Sequence, residues 1–226
     1  MKLYENAIAP NCRRVRVFLA EKGIDVPGVE IDIIGGQNIS GDYLEVNPNG
    51  QLPGLELDDG RHLSESAAIC RYFEELHPQP PLLGTTPFEK AAVQMWERRA
   101  DFEGMLGVAD NFRNRFPPFE NRGIAGTSNV PQIPELVERG RQSVQRFYGH
   151  LDKRLGESPY LVGDSLTLAD IDAMCVIDFA LFSELEIPQS HSKLRAWYDG
   201  MESRESARSN PGLTAALGSI SKVLGG

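Results

Sequence analysis

The sequence predicts an α/β domain over residues 1–80 followed by an all-α domain over residues 87–226. Three observations carry this. Short apolar alternations and helix-spaced apolar residues succeed one another up to about residue 76. A proline-rich connector follows, His77-Pro78-Gln79-Pro80-Pro81 and then Thr86-Pro87, which cannot extend a helix. Beyond it the strand pattern stops and long helical periodicities take over.

In chain order, Lys2-Leu3-Tyr4 is a short strand. Pro10 suits the first turn of a helix whose Val15, Phe18, Leu19 and Lys22 fall on one side, with Gly23 as its stop. Val29, Ile31 and Ile33 alternate with Glu30 and Asp32 as in a strand with one polar face. A short helix over Asp42 to Val46 ends at the breaker cluster Asn47-Pro48-Asn49-Gly50. Leu55-Glu56-Leu57, Asp58-Asp59-Gly60 and His62-Leu63 read as a hairpin, and Glu65 to Leu76 as the closing helix. The order is β-α-β-α-β-β-α, a layer of roughly thioredoxin size. In the second part, Glu89 to Arg115 reads as one long helix and Phe116 to Pro134 as a loop rich in Pro, Gly and Asn. Helices then span Glu135 to Leu155, Thr167 to about Leu185 and Lys193 to Glu202.

Composition narrows the function. The chain has 226 residues and a formal net charge of −9, of which residues 1–80 carry −6. Such acidity is no basis for attraction to nucleic acid or to an anionic membrane. The N-terminus lacks the apolar stretch of a secretory signal, and Ala173 to Phe182 is too short to span a bilayer. Cys12, Cys70 and Cys175 are odd in number and far apart, which suggests neither a disulfide framework nor a zinc cluster. A reducing cytoplasm is the expected compartment. No G-x-S-x-G, phosphate-loop or dinucleotide fingerprint occurs, and the four histidines show no ligand spacing, so no metal site is expected.

Three short segments could carry chemistry. In Ala9-Pro10-Asn11-Cys12, the N–H groups of a helix start favour an anion such as a thiolate. Cys12 could be that thiol, or a small packing residue; Asn11 could donate to a bound thiolate, or merely favour the helix start. In Gly50-Gln51-Leu52-Pro53, a cis proline would leave the Leu52 backbone free for a peptide-like ligand, whereas a simple turn would not. In Ser64-Glu65-Ser66, Ser66 could hold a carboxylate and Glu65 an ammonium, or the run could be an ordinary helix cap.

Together with the proline linker and the trailing helices, these segments resemble the glutathione transferase superfamily, over essentially the whole chain. The resemblance implies a thioredoxin-like N-terminal domain that binds glutathione and a helical domain that supplies a hydrophobic substrate pocket. It implies that Gln51 meets the glycine carboxylate, that Leu52 pairs with the cysteinyl backbone beside a cis Pro53, and that Glu65 and Ser66 hold the γ-glutamyl end. Gly163 to Asp170 looks like the family's capping segment, with Thr167 capping a buried helix and Asp170 returning the bond. One departure stands out. Serine-type and cysteine-type members carry their activating side chain where this chain has Ala9. The surviving Pro10-Asn11 is similar to members in which an asparagine contacts the sulfur, which points to Asn11, with Cys12 and Tyr4 as lesser candidates. The implied activity is conjugation of glutathione, a co-substrate, to a small hydrophobic electrophile near Phe102, Met105, Phe112 and Phe116. A homodimer is implied as well. The alternatives are a glutathione-dependent reductase using Cys12 and a non-catalytic scaffold.

Overall fold

A computed structural model describes residues 1–218 and Lys222. Strands β1 (Lys2–Glu5), β2 (Gly28–Glu30), β3 (Gly54–Glu56) and β4 (His62–Ser64) form one sheet in the order β2-β1-β3-β4. β1 and β2 run parallel, while β1–β3 and β3–β4 are antiparallel. The register sets Leu3 opposite Leu55 and Leu55 opposite Leu63. That row makes the apolar face on which the helices pack. Helix α1 (Pro10–Glu21) inserts Val15, Phe18 and Leu19, and α3 (Ser66–Leu76) inserts Ile69, Cys70 and Phe73. The small α2 (Tyr43–Val46) lies on the other side, where the Tyr43 ring sits tilted beside that of Tyr4 with ring centres 6.0 Å apart.

The alternation at Val29, Ile31 and Ile33 extends beyond the strand that forms. Pairing ends at Ile31, whose N–H donates to Glu5 O, because β1 itself ends there. The chain then turns: Gly35 N–H and Asp32 Oδ1 close one loop and Gln37 N–H and Asp32 O another.

The connector leads into α4 (Pro87–Arg99), closed by a capping box in which Glu89 N–H donates to Thr86 Oγ1 and Thr86 N–H returns to Glu89. The single helix expected from Glu89 to Arg115 is interrupted. Ala100–Met105 is a π-helical stretch, and α5 (Leu106–Arg113) resumes after it. The wide turn matches the five-residue gap between the apolar landmarks Ala100 and Met105. It sets Gly104 so close to α7 and α6 that a Cβ there would lie 2.7 Å from Val176 and 3.0 Å from Phe147.

Helices α6 (Glu135–Leu155), α7 (Leu168–Phe182) and α8 (Ser192–Glu202) complete the bundle, followed by α9 (Glu205–Ser209) and α10 (Leu213–Leu217), which the apolar pattern does not predict. α7 is buried on nearly every side, and it ends three residues earlier than its sequence pattern. Phe112 and Phe116 are buried in an aromatic cluster with Phe119, Phe179 and Phe182, with ring centres 4.8–5.8 Å apart. They are core side chains, not pocket wall; Phe102 is exposed under the Arg98 guanidinium.

α1 joins the two halves, packing on α3 to one side and α7 to the other. Its buried Arg14 sends Nη1 to Ser66 Oγ at 2.9 Å and Nη2 to Asp101 Oδ1 at 3.1 Å. Arg14 Nε lies 2.6 Å from Asp172 Oδ1, a charge contact outside hydrogen-bond alignment. Glu97 also faces this group, together with Arg71 and Asp101. Burial pushes Glu97 up to about 7, against the attraction of Arg14 and Arg71. A carboxyl whose folded value lies above its unfolded one leaves the native state holding the extra proton. Stability from this site therefore falls as pH rises from about 4.5 to 7. Glu97→Gln should remove that fall, so that the drop in Tm between pH 5 and pH 8 shrinks by ~5 °C in calorimetry.

Candidate active site

The start of α1 has no side-chain cap. Ala9 occupies the N-cap position, Pro10 the first turn, and the first helical bond is Arg13 N–H to Ala9 O at 3.0 Å. The N–H groups of Asn11 and Cys12 are therefore left without a backbone partner among the described residues. α3 begins in the same way. Glu65 precedes it with φ of 67°, provides no cap, and the first bond is Ile69 N–H to Glu65 O. A non-glycine residue at positive φ is unusual, and the Glu65 side chain is exposed. α4 and α7, by contrast, are both closed by capping boxes. Uncapped starts leave N–H donors and the positive dipole end available to an anion.

Asn11 is half-buried. Its Oδ1 is sealed from solvent without a donor, and its amide makes no hydrogen bond among the described residues. Cys12 is fully buried, and its Sγ accepts from Asn6 N–H at 3.4 Å. Burial pushes its thiol up to about 12, so the geometry favours the packing reading of Cys12 over a reactive thiolate. Tyr4 donates to Glu56 Oε2 at 2.6 Å, and its hydroxyl is raised by that bond and by burial. Its proton is committed to Glu56. The candidate donors at the α1 start thus reduce to Asn11 and two backbone N–H groups.

The Leu52–Pro53 peptide is cis, and Leu52 keeps both backbone polar groups unpaired among the described residues. The preceding turn is built from side chains: Asn47 Nδ2 donates to Gln51 O at 2.7 Å, as does the Tyr43 hydroxyl, and Asn38 Nδ2 donates to Gly50 O at 2.6 Å. Gln51 is exposed, and its Nε2 reaches Ala125 O of the helical domain at 3.3 Å. Ser66 is buried at the head of α3. Because its Oγ accepts from Arg14, its own proton remains available for an acceptor in front of the helix.

Family models match on both sides of the linker: the glutathione S-transferase N-terminal domain over residues 3–81 and the C-terminal domain over residues 116–205. The chain belongs to the glutathione S-transferase family. Glutathione S-transferase 2 of Saccharomyces cerevisiae is 34% identical over 92% of this chain and 88% of its own. Maleylacetoacetate isomerase of Pseudomonas aeruginosa is 32% identical, over 76% of this chain and 77% of its own. Among solved structures, Gtt2 of Saccharomyces cerevisiae superposes with a TM-score of 0.86 at 33% identity, covering 93% of this chain and 100% of that one. A class Gtt2 transferase of Vibrio parahaemolyticus gives 0.78 at 32% identity, over 93% of this chain and 97% of its own. The thioredoxin-like and helical halves are thus those of a glutathione S-transferase, a family that uses glutathione as co-substrate. No helix among the described residues is long and apolar enough to cross a membrane.

The sequence pattern alone does not single out Arg14, which the fold brings to Ser66. A weak signal existed: Arg13 and Arg14 interrupt the run from Cys12 to Leu19 in which most residues are buried, and a buried charge persists only with a partner.

Proposed function

We propose that this chain is a cytoplasmic, homodimeric glutathione transferase that joins the thiolate of glutathione to small hydrophobic electrophiles, in a detoxifying role. The observation that carries the reading is the open start of α1. Two N–H groups and the Asn11 amide lie at this helix start without a partner among the described residues. In this reading the cysteinyl backbone of glutathione pairs with the free N–H and C=O of Leu52, next to Pro53. Its glycine end lies toward Gln51. Its γ-glutamyl end lies at α3, the ammonium against Glu65 and the carboxylate against the Ser66 hydroxyl and N–H. The sulfur then reaches the α1 start. Asn11 and the helix N–H groups favour its ionised form, the proton leaves to solvent, and the thiolate attacks the electrophile as its leaving group departs.

An apolar stripe supports the homodimer. Phe88, Met95 and Phe102 recur every seventh residue and are all exposed, Phe88 by 81%. A reductase using Cys12 finds no support in a thiol so thoroughly buried. Capture on immobilised glutathione followed by turnover of a generic aryl halide tests the transferase. Capture without turnover would instead favour a glutathione-binding scaffold.

Ser66→Ala and Glu65→Ala should each raise the KM for glutathione about tenfold, the cost of one charge-assisted bond. With saturating glutathione, kcat should stay within about twofold, because neither residue is assigned to the sulfur. Steady-state kinetics with varied glutathione reads the split; an unchanged KM removes the residue from the γ-glutamyl subsite.

A further inference from the structure

The open start of α1 lacks the side chain that ordinarily fixes a helix end, so its geometry has to be held from elsewhere. Arg13 closes the first turn by donating its N–H to Ala9 O, and its buried side chain leaves the N-terminal domain. Nε donates to Asn210 O at 2.7 Å and Nη2 to Glu202 Oε1 at 2.8 Å. Glu202 ends α8, and Asn210 lies between α9 and α10. Asn210 is fixed in turn. Its Nδ2 donates to Ser206 O at 2.9 Å, and just beyond it the Asp178 carboxylate of α7 accepts from Leu213 N–H at 2.7 Å. A Cβ on Gly212 would stand 2.1 Å from Asp178 Oδ2, so this segment lies close against α7.

The other end of α1 is held by the same α8–α9 corner with the charges exchanged. Glu21 accepts from Arg204 Nε at 2.7 Å, from Arg204 Nη2 at 2.9 Å and from the Ser206 hydroxyl. Glu202 and Arg204 thus grip α1 at Arg13 and at Glu21, about 12 Å apart along its axis. The two grips differ in what they adjoin. Arg13 belongs to the turn that presents Asn11 and the N–H groups of Asn11 and Cys12, whereas Glu21 lies about two turns further on. They differ in burial as well. The Arg13 side chain is 2% exposed and its Nη1 is sealed without a partner, while Glu21 and Arg204 are both partly solvated. A cation buried in this way adds little to fold stability on its own account. Its place beside an uncapped helix start gives it a different use.

We propose that Arg13 is a positioning residue for the thiolate site, and that Glu202 and Asn210 act through it to fix the first turn of α1. This rests on the glutathione reading above, which brings the sulfur to that turn. Hydrogen bonds from Asn11 and from the helix N–H groups weaken steeply as distance and angle drift. A misplacement of about 1 Å is enough to cost a reacting site about 100-fold. With Arg13 released, the turn keeps its donors and loses their aim. The sulfur then ionises at higher pH, while the γ-glutamyl end, held at α3, stays bound.

The far grip supplies the control. Arg13→Met, Arg13→Lys and Glu202→Ala are compared with Glu21→Ala in the full chain, each by thermal unfolding, by ultraviolet titration of bound glutathione and by kinetics with varied glutathione. Arg13→Met should move the thiolate midpoint about one pH unit upward and lower kcat about tenfold near neutral pH, with the KM for glutathione within about twofold. Glu202→Ala should move the midpoint the same way by less, because Asn210 O still holds Nε. Arg13→Lys retains the charge and a donor and should stay near the wild type. Glu21→Ala should lower Tm and leave the midpoint in place. Should Arg13→Met fail to fold, Arg13→Met combined with Glu202→Met removes both charges together and is read in its stead, beside Glu202→Ala. Variants at Arg13 and Glu202 that lose Tm but keep the midpoint overturn the inference, as does an equal shift in Glu21→Ala; either result leaves the glutathione reading intact. A wild type that shows no thiolate titration with glutathione overturns both.

Discussion

Asn11→Ala is expected to raise the thiol pKa of bound glutathione and to cut kcat/KM for conjugation about 10- to 100-fold near neutral pH, with glutathione affinity nearly unchanged. Among the described residues its amide is the side-chain donor left at the α1 start once Ala9 provides none, Cys12 is sealed in the core and Tyr4 is bound to Glu56. A charge-assisted hydrogen bond to a thiolate contributes about 1.5–3 kcal/mol, which corresponds to that range of rates. The Asn11 and Cys12 N–H groups survive the substitution, so the loss is partial. Titration of the ultraviolet absorbance of the bound thiolate reads the effect directly. Identical titrations in the wild type and the variant would exclude Asn11 from activation. A low-affinity variant with an unshifted titration would instead place Asn11 among the binding residues.

What could be read from the sequence follows the range of the forces involved. The turn at Asn47-Pro48-Asn49-Gly50, the helix starts at Pro10 and Ser66 and the Thr167–Asp170 pair are all set by residues within four positions of one another. Local patterns report such features well. The π-helical stretch at Ala100–Met105 is different. It accommodates Gly104 against Val176 and Phe147, partners that only the assembled bundle brings near. The aromatic positions Phe112 and Phe116 illustrate the same limit, since helical spacing cannot tell a pocket wall from a core, and three further aromatics from α7 and the α5–α6 loop decide the matter. In the candidate site, Asn11 is visible as a residue type, but its lack of a hydrogen-bond partner among the described residues is not. That depends on Asn6 capturing the Cys12 sulfur and on Glu56 capturing the Tyr4 hydroxyl. The Arg14 bond to Ser66 spans 52 residues in sequence, and the Gln51 contact with Ala125 spans 74. Neither has a local signature.

Asp170→Ala should lower stability by about 3–5 kcal/mol, the largest folding effect expected of a single substitution outside the apolar core. The carboxylate is fully buried and accepts three bonds: from Leu161 N–H at 2.9 Å, from Thr167 N–H at 3.0 Å and from the Thr167 hydroxyl at 2.9 Å. Alanine leaves all three donors sealed from water, each at about 1–3 kcal/mol, with partial relief where the segment relaxes. For a domain of this size the loss corresponds to a Tm lower by about 10 °C. Asp170→Asn retains one acceptor and should fall between the two. The gap between the wild type and the asparagine variant also depends on pH. Burial pushes Asp170 up to about 6, outweighing the three donors that pull it down. The folded chain therefore holds a proton that the unfolded chain releases, and the contribution of Asp170 weakens as pH rises from about 4 to 6. Asparagine does not titrate, so the gap in Tm should be widest near pH 4 and should narrow toward pH 7. A gap that widens with pH would mean that the three donors outweigh burial and hold the carboxyl below its ordinary value. The size of the loss and the direction of its pH dependence are independent readings of one buried group. Both follow from α7, whose first turn is tied to the segment before it in the centre of the helical domain.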